Sequence, residues 1–142
     1  MEQHANLITA EQLQAGRVKV RKRVKYEHLD EQLQQLASTF HLITRDFCPH
    51  LIDITCSLAY GITDEGFNEI VTRCNQLRSL TLTGCNQIYG EVLFDVPEKY
   101  LQSIEYLNFD KCNQIEDFIL IDLFQRKRFI SVIDSYGSLI EL

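Results

Sequence analysis

Five cysteines, four histidines and twenty carboxylates are the side chains of this chain that could carry chemistry. Cys48, Cys56, Cys74, Cys85 and Cys112 form an odd set with no Cys-x-x-Cys pair, so neither a disulfide framework nor a structural zinc site is indicated. Cys48-Pro49-His50 puts a thiol and an imidazole close together, the minimum for a nucleophile with its base. Cys48, however, occupies the place in its unit that Cys74 and Leu101 occupy in later ones, which makes it a core position, and no activity is expected to depend on Cys48 or His50. Asp64 and Asp117 could be imagined as paired acids, yet each opens an apolar-periodic segment, where a carboxylate caps a helix. No phosphate-cradling glycine loop and no Ser/His/Asp arrangement follows a strand pattern. The residues indicate no enzyme, no metal and no cofactor.

The elements that hold these residues repeat. Leu51-x-x-Ile54-x-Cys56 recurs as Leu77-x-x-Leu80-x-Leu82, as Ile104-x-x-Leu107-x-Phe109 and, less well, as Ile130-x-x-Ile133-x-Ser135, at offsets of 26, 27 and 26 residues. A small residue stands three places beyond each string, at Ala59, Cys85, Cys112 and Ser138, and an apolar anchor three further on, at Ile62, Ile88 and Ile115. Phe67, Ile70 and Val71, and later Leu120, Leu123 and Phe124, then fall at helical spacing. Each unit therefore reads as strand, turn and helix, with strands expected around 52–57, 78–83, 105–110 and 131–136, all parallel neighbours. Pro97 forbids a continuous helix in the second unit, where a short or broken one is expected across Glu91 to Lys99.

The string Leu-x-x-Leu-x-Leu-x-x-Cys-x-x-Ile-Thr-Asp-x-Gly-Leu, approached by residues 48–142, resembles the cysteine-containing leucine-rich repeats of F-box/leucine-rich-repeat proteins. Gly61-Ile62-Thr63-Asp64-Glu65-Gly66-Phe67 carries the likeness best, although Ala59 replaces the cysteine there; Cys-Asn-Gln-Ile at 85–88 and again at 112–115 restores it. The resemblance implies an α/β solenoid, with parallel strands on a concave face and helices on a convex one, that binds proteins. Two functions follow as expectations: a structural or assembly subunit of a larger complex, or the substrate-recognition adaptor of an F-box/leucine-rich-repeat ubiquitin ligase. Residues 1–47 contain no proline and no Leu-Pro-x-Glu string of the F-box kind, which favours the first.

Strand positions that alternate with the buried ones map the expected partner-binding face. The columns run Asp53, Ser79, Tyr106, Val132; then Thr55, Thr81, Asn108, Asp134; then Ser57, Thr83, Asp110, Tyr136. Tyr106 and Tyr136 are the natural anchors, because tyrosine offers apolar area and a hydroxyl at low entropic cost. At the other end, Arg17, Lys19, Arg21, Lys22, Arg23 and Lys25 make a basic strand whose intervening positions hold Val18, Val20 and Val24. Lysine on a sheet edge blocks edge-to-edge pairing, and the same residues suit an acidic protein or RNA; both readings stand.

Residues 1–16 are expected to be a flexible or partner-dependent lead, and 17–47 the basic strand plus an amphipathic helix over Asp30 to Phe47 that covers the first repeat. After the last expected strand come Leu139, Ile140 and Leu142 without a further helix, so the end of the stack needs a cover. A second subunit docked at Ile130 to Leu142 is favoured, with residues after Ser135 folding back as the alternative. The chain's 142 residues, 45% hydrophobic and with a net charge of −6, suit one domain that is not a general nucleic-acid binder. An N-terminus without basic and apolar signal regions, and the unpaired cysteines, point to an intracellular protein, cytoplasmic by preference, with mitochondria or cilia as alternatives.

Overall fold

The computed structural model describes residues 17–21, 50–57, 62–127 and 130–141. The expected helix over 30–47, Cys48, Ala59, Lys22, Arg23 and Lys25 lie outside them. In chain order the elements are β1 (Arg17–Arg21), β2 (Asp53–Ser57), α1 (Asp64–Arg73), β3 (Ser79–Thr83), a 3-10 turn (Glu91–Leu93), β4 (Tyr106–Asn108), α2 (Asp117–Arg126) and β5 (Ser131–Ile133). The five strands form one sheet in sequential order, every neighbouring pair parallel, so the fold class is α/β.

Repetition in the sequence becomes register in the sheet. Ile54 pairs with Leu80 and Leu80 with Leu107, while Thr55, Thr81 and Asn108 form the adjacent column. Ile54, Cys56, Leu80, Leu82 and Leu107 are buried, and Thr55, Thr81 and Asn108 are half-buried, as a period of two across a one-sided sheet requires. The anchors Ile62, Ile88 and Ile115 are buried as well. α1 packs Phe67, Ile70 and Val71, and α2 packs Ile119, Leu120 and Leu123, into the same core, with Phe124 partly buried against it. Phe67 meets Phe109 edge-on at 6.1 Å, tying the first helix to the turn after β4.

The second unit carries only the three-residue 3-10 turn, followed by Asp95 in the left-handed region at φ 54° and then Val96-Pro97. Proline's missing N–H and locked φ account for the break.

Two expectations are corrected. In the fourth unit Tyr106 pairs with Ser131 and Leu107 with Val132, an offset of 25 residues, so Val132 is buried and Ile133 sits half-buried in the column of Asn108. Ile130-Ser131-Val132-Ile133 has apolar residues at both parities, so its own periodicity does not choose a face. Asp64 does not cap α1, whose N-cap residue Thr63 makes no side-chain bond; its carboxylate instead accepts from Tyr89 N (3.0 and 3.1 Å) and Gly90 N (3.0 Å) of the next unit. The chain also covers its own end. Asp134 turns it back, Ile133 bridges Leu139 in antiparallel sense, and Ile140 N donates to Val132 O at 2.9 Å. The open edge of β5 is thereby hydrogen-bonded within the chain, as the fold-back alternative expects. Ser138 is exposed in that turn.

The Asp64 bridge gives a first expected result. Asp64→Ala leaves two amides of the neighbouring unit without their charged acceptor, at a cost of about 1–3 kcal/mol. Thermal denaturation should show a midpoint lowered by several degrees, and a midpoint within error of wild type would remove Asp64 from the joint between units.

Candidate functional site

The sheet face opposite the helices is built from strand positions whose side chains the core does not claim. Asp53 and Ser79 pair across β2 and β3, Ser79 pairs with Tyr106 across β3 and β4, and Thr55, Thr81 and Asn108 form the parallel row beside them. All are half-buried, as is Thr83. Small hydroxyl side chains thus make a shallow central floor, with Asp53 on one flank and larger groups on the other.

On that other flank three residues are linked. Asn108 Nδ2 donates to Tyr106 Oη at 3.0 Å, and Asp110 N donates to Asn108 Oδ1 at 2.9 Å. Both polar ends of the Asn108 amide are therefore engaged, fixing its orientation and that of the tyrosine hydroxyl. Asp110 lies in the turn after β4, against the C-terminal turn: a Cβ on Gly137 would stand 3.0 Å from Asp110 Oδ1. With φ at +81°, Gly137 suits glycine on both counts.

The remaining expected face residues are placed differently. Asp134 is a turn former, its Oδ1 accepting from Tyr136 N at 3.0 Å and Ser138 N at 2.9 Å. Tyr136 belongs to the same turn, outside the strand columns, and is 79% exposed. Val132 leaves the face, and Ile133, which the spacing had placed inward, joins it. The apolar contact area at this end thus comes from Tyr106 and Ile133.

β1 lies at the opposite end of the sheet. Its backbone register sets Arg17 beside Asp53, Lys19 beside Thr55 and Arg21 beside Ser57, while Val18 and Val20 match the buried Ile54 and Cys56. The basic positions of the strand consequently fall in the same columns as the polar face.

The four cysteines among the described residues occupy the core. Cys56, Cys74, Cys85 and Cys112 are all free and buried. The Cys112 thiol donates to Leu82 O and Cys85 Sγ approaches Thr83 O at 4.0 Å, both across or within the strand-to-turn bend. Hydrogen bonding from Cys85 holds the Cys112 thiol below its ordinary value, with burial opposing it, whereas burial alone pushes Cys56 up to about 12. Zero exposure at Cys112 leaves a substrate no approach to that sulfur. Among the described residues no three His, Cys, Asp or Glu side chains come together to hold a metal ion, and no helix is long and apolar enough to cross a membrane.

No family model matches this chain, and no curated protein matches it.

Proposed function

We propose that the chain is a short leucine-rich-repeat solenoid of the cysteine-containing class, acting without catalysis as a protein–protein interaction module and serving as a structural or assembly subunit of a larger complex. The observation that carries the reading is the row Asp53, Ser79, Tyr106 beside the row Thr55, Thr81, Asn108: strand residues, adjacent in space, one turn of sequence apart, whose side chains the core does not use. A scaffold that spends each repeat on presenting one more row is suited to binding an extended partner surface. Supporting it further, each repeat unit contributes one strand to a sequential parallel sheet, and Cys85 and Cys112 fill equivalent buried bends.

Partner contact centres on Tyr106 and Ile133, with the hydroxyl floor as its middle and the basic register positions of β1 as a flank for acidic protein side chains. Arg and Lys there steer association and make it salt-dependent. The test is co-purification of the tagged chain at native expression, beside Thr81→Arg, which places a long charged side chain at the centre of the floor, and Tyr106→Ala. Both variants should keep their fold by circular dichroism and lose the co-purifying proteins, by tenfold or more in affinity once a partner is in hand, as expected for a tyrosine anchor. An unchanged partner set in folded Thr81→Arg would end this assignment of the face.

A further inference from the structure

The helix side of the sheet carries an aromatic groove that the core does not explain. It has a volume of about 620 Å³ and lies between the 3-10 turn and the amino end of α2. Its origin is the irregular second unit: α1 and α2 each run ten residues, whereas the unit between them has three helical residues and then the Asp95 to Pro97 break. Phe94 caps the 3-10 turn in extended conformation and Phe118 stands in the first turn of α2, the two rings meeting edge to face at 5.6 Å. Tyr89 completes the lining of aromatic rings. Exposure is 51% at Tyr89, 50% at Phe94 and 57% at Phe118, and Ile121, one helical turn beyond Phe118, continues the apolar strip.

The charge around these rings is of one sign. Glu91 and Glu116 line the groove with Ile119, no lining residue is basic, and among the described residues neither glutamate side chain has a hydrogen-bond or salt-bridge partner. Arg126, which borders this region, is already committed: it pairs with Asp95 at 2.6 Å and with Asp122 at 3.0 Å. The partial positive charge at the amino end of α2 is outweighed by Glu116 and Asp117.

We propose that this groove binds a short extended segment of a protein partner bearing an arginine next to an aliphatic or aromatic side chain. Arginine fits both features. Its planar guanidinium stacks on aromatic faces, and its fork of donors pairs with carboxylates, while the neighbouring apolar side chain covers the exposed rings. The groove lies on the helix side, away from the open sheet face, so the proposal stands or falls separately from the function proposed above.

A random dodecapeptide phage library panned on the full chain, with counter-selection on the Phe94→Ser/Phe118→Ser double variant, tests it. Enriched sequences should carry arginine beside Leu, Ile or an aromatic residue. A labelled synthetic peptide of the enriched consensus, titrated by fluorescence anisotropy, should bind at least tenfold more weakly to Phe118→Ser and to Glu91→Gln/Glu116→Gln, should weaken with added salt, and should lose binding when its arginine becomes Gln. The Glu→Gln variant changes two exposed side chains without changing their shape, so the test holds even where a Phe variant fails to fold. No enrichment over counter-selection, a consensus without a basic residue, or undiminished binding to the double Gln variant overturns the proposal. A concentration-dependent dimer that disappears in Phe118→Ser, with no peptide enriched, would assign the groove to a second copy of the chain and overturn it equally.

Discussion

Leu80→Asp is expected to abolish the folded state at neutral pH and room temperature. Leu80 lies in β3 between Ile54 of β2 and Leu107 of β4, and all three are at most 1% exposed. An aspartate at that point has three courses: to stay charged without a partner, to take up a proton against its ordinary pKa, or to force the sheet open. Each costs several kcal/mol in addition to the lost leucine, against a total stability on the order of 5 to 15. The neighbouring substitution Thr81→Asp, on the half-buried open face, should cost about 1 kcal/mol or less, because its carboxylate keeps access to water. Far-UV circular dichroism and urea unfolding of the two variants make the comparison. A cooperative transition for Leu80→Asp close to that of wild type would show that the register of the sheet is wrong.

The second large effect is alkaline. Burial pushes the Cys56 thiol from its ordinary 9.0 up to about 12. The folded-state value is raised, so this contribution is fully present below pH 9, where the thiol is neutral in both states, and is lost as pH climbs towards 12 because only the unfolded chain can ionise. The slope approaches about 1.4 kcal/mol per pH unit, and about 4 kcal/mol is lost over the whole window. Cys56→Ala should start about 1 kcal/mol less stable at neutral pH, from lost packing, and then decline less steeply above pH 9. Urea midpoints across that range should therefore converge or cross. Parallel curves for the two proteins would mean that Cys56 ionises freely in the folded state.

Both results concern positions legible in the sequence, and the reason is local. Leu51, Leu77 and Ile104 recur with strings spaced for a half-buried strand, and Ile62, Ile88 and Ile115 follow at the same offsets; all six are buried. Cys85 and Cys112 could be read as buried bend residues because each stands in a nearly identical string, and Pro97 announced the broken helix by its own geometry. Each of these inferences uses a residue's intrinsic shape or a period that neighbouring units enforce on one another.

The fourth unit shows where that reasoning stops. Ser131-Val132-Ile133 could face either way by composition, and only pairing with Tyr106, Leu107 and Asn108 selects Val132 as the inward residue. Asp64 carries the sequence mark of a helix cap, yet the amides of Tyr89 and Gly90 lie within reach and take its carboxylate. Phe94 and Phe118 are 24 residues apart and have ordinary apolar spacing; that their rings meet outside the core depends on how far the short second unit lets α2 approach.

Local properties of the chain are enough to define the repeating unit in its first three copies: which residues turn inward, where the strands run, and which bend holds a small thiol, all set by side-chain volume and by hydrophobic periods of two and 3.6. The joints between units came instead from the folded chain: the register of β5, the Asp64 bridge, the backbone register of β1 against β2 and the aromatic groove. Those features depend on the distance and orientation of groups some 25 residues or more apart, or on which of two near-equal local patterns a neighbouring strand stabilises, and no local property of the chain encodes either.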